Sequence, residues 1–319
     1  MEIVKLSPSV ADNIWGGTRL IDEYGIKTDK RPAAEAWVLS CHPSGPSTVL
    51  NGEFAGKTLQ EVYETDKSIC GTKGERFEFF PLLIKFIDAK RDLSIQVHPD
   101  DEYAMRVEGE YGKTEAWYIL DCDDDAELIL GFNKEVGKEE FKEAAQSGEI
   151  MNICNKVKVK KGDLFFIESG TMHAICKGIL LAEVQQNSNT TYRIYDYGRL
   201  GKDGKPRELH VDKAADVTKL CPPSIPSADE RKKEVFDSAV KTELTSCDLF
   251  TMYKLDVDGK HSFAVDSTTF VSLLCLEGEG EVSCGDVTLS FKKGESIFVP
   301  ASSGEVTVNG KLEILESTL

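Results

Sequence analysis

The stretches "KGDLFFIESGTMHA", residues 161–174, and "KGESIFVPASSGEV", residues 293–306, align without a gap. Each opens on Lys-Gly-acid, runs through a mainly apolar strand and closes on a turn of small residues. A strand entered and left through tight turns, occurring twice, predicts two related β units. In this register His173 stands opposite Glu305. The second copy keeps the scaffold without the histidine. The turn therefore does not need an imidazole, and His173 becomes a candidate for chemistry.

Strand-like segments surround the first copy: "LLIKFIDA" (82–89), "LSIQVH" (93–98), "EAWYIL" (115–120), "AELILGF" (126–132), "DLFFIE" (163–168) and "ILLAEVQQ" (179–186). In 93–98 the apolar Leu93, Ile95 and Val97 alternate with Ser94, Gln96 and His98. A period of two sends the two sets to opposite faces. Two helices are expected between strands. One spans about 58–70, opening on Thr58 and Glu61 at capping-box spacing. The other spans 138–154, with Phe141, Ala144 and Ala145 on one side. The acidic run "DCDDDAE" (121–127) lacks the spaced ligands and glycine of a calcium loop and is expected as a solvated turn.

Composition shifts near 221–245, where "CPPSIPSADERKKE" suits a linker, and only strands follow. The expected architecture is mainly β: two cupin-type jelly rolls, with small helical insertions in the first. The boundary is expected near 235, giving a metal-binding catalytic unit over 1–235 and a metal-free β unit over 236–319.

The chain has 319 residues and a formal charge of −17, which repels nucleic acid and anionic membranes as partners. A local basic pocket can still hold a small anion, because screening shortens the reach of the distant surface. No basic-then-apolar leader opens the sequence and no membrane-length apolar run follows, so a cytoplasmic location is expected. The nine cysteines are odd in number, scattered and free of Cys-x-x-Cys, which predicts reduced thiols. Neither a monomer nor a weak oligomer is selected by these features.

Of five histidines, His98 and His173 follow strands that can line a barrel. His42, in "SCHPSGPS", is expected in a surface loop; His210 and His261 lie in charged context and are expected to be structural or exposed. Glu115 opens an apolar strand, where a charge is costly unless paired. Gln96, His98, Glu115 and His173 thus form a candidate ligand set of two imidazoles, a carboxylate and an amide. Zinc suits it best.

These residues belong to a longer series: "IWGG" (14–17), "AEAWVLSCHPSGPS" (34–47), "FPLLIKFIDAKRDLSIQVHPDD" (80–101), "GKTEAWYIL" (112–120), "ESGTMHAI" (168–175) and "NTTYRIYDYGR" (189–199). Over essentially the whole chain the series resembles the type I mannose-6-phosphate isomerases, of the short bacterial kind. The resemblance implies one zinc held by Gln96, His98, Glu115 and His173. It implies a sugar-phosphate substrate and interconversion of mannose 6-phosphate and fructose 6-phosphate through an enediol. Arg193 falls at the family's catalytic arginine, and Ser94 and Arg199 at its phosphate contacts. Lys113 and Glu183 fall at positions tied to proton transfer, and Trp15 can line the sugar pocket. Ile175 stands where longer eukaryotic members carry tyrosine, and Asn189 where they carry an acid. Two other readings use the same barrel. A non-catalytic, metal-stabilised sugar-binding cupin needs the ligands but not Lys113 and Arg193 together. An iron oxygenase needs open metal positions, one of which Gln96 closes.

Overall fold

The computed structural model describes residues 1–223 and 231–319. Residues 224–230, the centre of the expected linker, lie outside the described residues. Among the described residues every strand pairing is antiparallel, in three sheets.

A six-stranded sheet runs Leu164–Ile167, Glu115–Cys122, Ile179–Gln186, Leu82–Ala89, Glu35–Leu39, Ser9–Ala11. A five-stranded sheet runs Tyr192–Tyr195, Ile95–Val97, His173–Ile175, Glu127–Phe132, Cys154–Lys158. Ile87, Trp117, Ile119 and Leu181 of the first pack against Leu128, Leu130 and Ile175 of the second. This is the first sandwich. Strands Leu82–Ala89 and Ile179–Gln186 are buried at every position. Their other faces, with Leu82, Ile84, Phe86, Leu180, Ala182 and Val184, meet Phe250, Met252, Phe270 and Leu315 of the C-terminal half. A central strand covered on both sides must be apolar on both sides, which explains their nearly continuous hydrophobic runs.

Ile95 and Val97 point away from the interior, onto Phe141, Ala145, Ala214 and Ala215 of two helices, Lys138–Ser147 and Val211–Val217. The alternation in "LSIQVH" is therefore apolar toward the helices and polar toward the barrel.

The nine-stranded third sheet folds over its own core of Leu255, Val257, Leu273, Val282, Phe291, Val306, Val308 and Ile314. It recruits Val4–Ser7, in register Val4↔Phe298, and through it Thr48–Val49. The N-terminus thus closes the C-terminal sheet.

The helix expected over 58–70 is an α-helix, Leu59–Thr65, followed by a 3-10 turn, Lys67–Cys70. Its capping box forms as read. The helix expected over 138–154 stops at Ser147 because Gly148 adopts φ 79°, the left-handed cap that ends a helix. A 3-10 turn and the strand Cys154–Lys158 follow. The short helix Asp101–Val107, which Asp100 caps, was not anticipated. Asp123–Asp125 form an exposed turn, and all nine cysteines are free. No described helix is long and apolar enough to cross a membrane.

Candidate functional site

The polar residues of the first sandwich converge at one end because of strand register. His173 pairs with Gln96, Arg193 with Gln96 on its other side, and Glu115 with both Ile167 and Gln185. One side-chain nitrogen or oxygen each from His98, Glu115 and His173 lies within 4.8 Å of the others, and all three residues are buried. His173 Nε2 is 3.3 Å from Glu115 Oε1, and His98 Nε2 is 3.7 Å from Glu115 Oε2. The Gln96 amide is 3.3 Å from His173 Nε2, and a half-turn of that amide presents its oxygen instead.

Both rings are aimed from behind. His98 Nδ1 donates to the Thr190 carbonyl and His173 Nδ1 to the Thr171 carbonyl, each at 2.8 Å. The tautomer is thereby fixed with each Nε2 unprotonated, as in a metal-ligating histidine. Burial drives His98 well below its usual pKa and takes His173 down to about 4, so both rings are neutral. His98 Nε2 and Glu115 Oε1 are buried with no hydrogen-bond partner. Orphaned acceptors of this kind carry a desolvation cost that a cation relieves. Burial also pushes Glu115 up to about 8, against the pull of the neighbouring Lys113. Two imidazole nitrogens, a carboxylate and an amide oxygen fit a zinc-type ion.

Beside this cluster opens a cavity of about 270 Å³. Trp15, Ser94, Gln96, Lys113, Trp117, Ile175, Glu183, Asn189 and Arg193 line it. Lys113 Nζ sits 2.7 Å from Glu115 Oε2 and 3.8 Å from Glu183 Oε1. Glu183 accepts from Trp117 Nε1 at 3.0 Å. Burial raises Glu183, but Lys113 and Lys85 overcome that and hold it near 2.

Lys85 was missed in the sequence. It is buried with its ammonium 3.1 Å from Glu183 Oε2 and 3.5 Å from Glu35 Oε2. Burial alone would lower its pKa, but the two carboxylates keep it above the ordinary lysine value. The available signal was a lysine inside "LLIKFIDA", a run otherwise apolar up to Asp88. Glu35 is in turn held by Asn13 Nδ2 at 2.7 Å and Trp37 Nε1 at 2.8 Å.

Arg193 reaches the cavity with its Nη1 on the Glu208 carbonyl at 2.9 Å and its Nε buried without a partner. Arg199 does not line this cavity. It lies by Asp12, Arg91 and Lys202 at a separate surface depression. Arg207, missed in the sequence, lines the cavity instead. His42, expected at the surface, is buried. Its Nδ1 accepts from Ser44 N at 3.1 Å and its Nε2 lies 3.4 Å from Glu110. A turn that packs its imidazole under Trp37 buries the ring despite the flanking Pro and Gly. His261, expected to be structural or exposed, is structural: it is buried within the strand Thr251–Val265, against Phe236.

Residues 3–134 match the family model for the phosphomannose isomerase type I catalytic domain, and residues 240–319 match that for the mannose-6-phosphate isomerase cupin domain. A mannose-6-phosphate isomerase of Bacillus subtilis, ManA, is 42% identical over 314 residues, covering 98% of this chain and 97% of the relative. A crystal structure of the mannose 6-phosphate isomerase from Bacillus subtilis superposes with a TM-score of 0.92 at 38% identity, covering 99% of each chain. A zinc-bound mannose 6-phosphate isomerase, 19% identical, shares the fold at a TM-score of 0.77 over 99% of each chain.

Proposed function

The chain belongs to the type I mannose-6-phosphate isomerase family and is a mannose-6-phosphate isomerase; from that premise we propose that it works with one zinc ion, through an enediol. The observation that carries the metal reading is the set of orphaned, buried acceptors on His98 and Glu115, converging with His173 and the Gln96 amide. Held by these four residues, zinc would supply a redox-inert Lewis acid at the reacting end of the sugar.

The chain's own residues do the rest. The reaction takes a proton from C2 of the aldose and returns one to C1, while a hydroxyl proton passes from O2 to O1. We assign the carbon proton to the buried pair Lys113 and Glu183, whose Nζ and Oε1 lie 3.8 Å apart beside Glu115; one of the two takes it from C2 and returns it at C1. Lys85, locked as an ammonium, and Arg193 hold fixed positive charge for the oxygen that becomes negative in the enediolate. Ser94 and Arg193 receive the phosphate, and Trp15 and Trp117 wall the sugar from water.

We assign catalysis to residues 1–235 and a supporting role to 236–319. Every residue lining the cavity precedes 208, and the C-terminal core is apolar. A sugar-binding protein would have no use for Lys85, Lys113 and Glu183 buried together. The test is conversion of mannose 6-phosphate to fructose 6-phosphate by the purified chain, before and after chelation. Turnover that stops with chelator and returns with zinc is expected; turnover untouched by complete metal removal refutes the zinc reading.

A further inference from the structure

A small hairpin follows Arg193. Leu200 and Pro206 form its bridge, and Gly201 N donates to the Lys205 carbonyl at 2.7 Å. Its two feet are Arg199 and Arg207, and both close on the buried carboxylate of Asp196. Arg207 takes both oxygens, Nε on Oδ2 at 2.7 Å and Nη2 on Oδ1 at 2.6 Å. Arg199 Nη2 shares Oδ1 at 2.5 Å.

The two feet then diverge. Arg199 continues outward, spending Nη1 on the Asp92 carbonyl and lying over the Tyr197 ring. Arg207 turns inward and lines the cavity with Arg193 and Ser94. Its fork on Asp196 uses Nε and Nη2, which leaves Nη1 as the donor available to the cavity. Three guanidiniums gather about the Asp196 carboxylate, with Glu208 the other acidic group acting on Arg193, a local excess of one positive charge in a chain of net −17. Arg193 feels that excess: burial, then Arg207, lowers its pKa. Its buried Nε has no partner. Two arginines facing one cavity, with unused donors and unneutralised charge, make a site for a dianion.

We propose that Arg207, aimed by Asp196, is the second guanidinium of the phosphate grip together with Arg193, and that Arg199 braces Asp196 from outside. This rests on the sugar-phosphate reading above. It adds a substrate-binding residue that the family-like motif "YDYGR" does not contain, and a positioning residue, Asp196, that sets it.

Inorganic phosphate is the probe, titrated calorimetrically into the full zinc-loaded chain, with steady-state kinetics on the same samples. Arg207→Ala is expected to weaken phosphate binding on the order of 10- to 100-fold, as for loss of a hydrogen-bonded charge. KM for mannose 6-phosphate should rise with it, while kcat changes far less. Arg207→Lys should recover part of the affinity, and Arg199→Ala should weaken phosphate less than Arg207→Ala does. Asp196→Asn should raise KM without loss of zinc, because the fork that aims Arg207 is weakened. Thermal midpoint and zinc content report folding; if Arg207→Ala does not fold, Arg207→Gln removes the charge while keeping more of the side chain and gives the same reading. The proposal is overturned if the folded Arg207 variant binds phosphate within about twofold of the wild type. It is also overturned if Arg199→Ala is the more damaging change. Calorimetry reads binding whether or not the chain turns over. Phosphate binding that depends on Arg207 in a chain with no isomerase activity would refute the isomerase mechanism and leave this assignment standing. Normal turnover with phosphate binding indifferent to Arg207 would do the reverse.

Discussion

The two copies of the repeat share a backbone and differ in what they bury. Leu164–Ile167 and Ser296–Val299 occupy the same offsets, and each is entered through a glycine in the left-handed region, Gly162 at φ 87° and Gly294 at φ 86°. The turn after each strand repeats the same feature, Gly170 at φ 82° and Ser302 at φ 66°. Beyond the turn they part. His173 faces a buried cluster of Glu115, Lys113, Glu183 and Lys85. Glu305, its counterpart, is exposed beside Ala264, and the interior next to it is Val306 and Val308. The backbone needed for a strand-turn-strand is therefore separable from the chemistry mounted on it. The first copy buries charges that are tolerable only because each has a partner; the second buries hydrocarbon.

That contrast breaks first at Arg193. Arg193→Ala should keep zinc yet lose turnover by about two to three orders of magnitude, the usual effect of deleting one oxyanion-stabilising donor. Arg193→Lys should recover only part, because an ammonium lacks the planar fork. Kinetics with metal content on the same samples checks this; wild-type turnover in Arg193→Ala would remove the arginine from the chemistry.

The shared turns sharpen the comparison at lower energy. At Gly162 an added Cβ meets nothing within 4 Å, so Gly162→Ala should cost only the left-handed conformation, about 1–2 kcal/mol. At Gly294 the Cβ would lie 2.1 Å from the Tyr24 carbonyl oxygen, so Gly294→Ala should lower the thermal midpoint further. Equal losses would mean that the two turns relax alike.

The smallest effect is on pH dependence without metal. The unfolded chain protonates His98 and His173 near 6.5, but the folded one protonates His173 only near 4 and His98 only well below 6.5. Their stabilisation is lost as pH falls through that window. Glu115 has the opposite sign: folded it keeps its proton to about 8, whereas unfolded it releases it near 4.5. Stability is therefore also lost as pH rises toward 8. Where the windows overlap, two imidazoles outweigh one carboxylate, so metal-free protein should be most stable near 6.5. With metal bound, Glu115 is ionised in the folded state and the alkaline decline should vanish. Thermal midpoints against pH, with and without chelator, check this; an unchanged alkaline limb would contradict it.

Much of this was legible because the decisive signals are local. "LLIKFIDA" and "ILLAEVQQ" match strands Leu82–Ala89 and Ile179–Gln186 residue for residue, since burial on both faces leaves little besides apolar residues to read. The cluster of His98, Glu115 and His173 was legible from two histidines following barrel strands and a carboxylate opening an apolar one. What escaped depends on distant pairing or on charge in charged surroundings. Val4–Ser7 joins a sheet built almost wholly from the other end of the chain, and no local pattern encodes that. In "GKDGKPRE" nothing sets Arg207 apart from its lysine neighbours until Asp196 is seen to aim it inward. Lys85 was hidden by the strand that buries it.

The central claim is that the metal and the chemistry belong to His173's copy of the repeat and not to Glu305's. Elemental analysis and isomerase turnover on the same preparations of wild type, His173→Ala and Glu305→Ala test it most directly. One zinc per chain with full turnover is predicted for the wild type and for Glu305→Ala, and near-complete loss of both for His173→Ala. Zinc and turnover retained in His173→Ala would contradict the account.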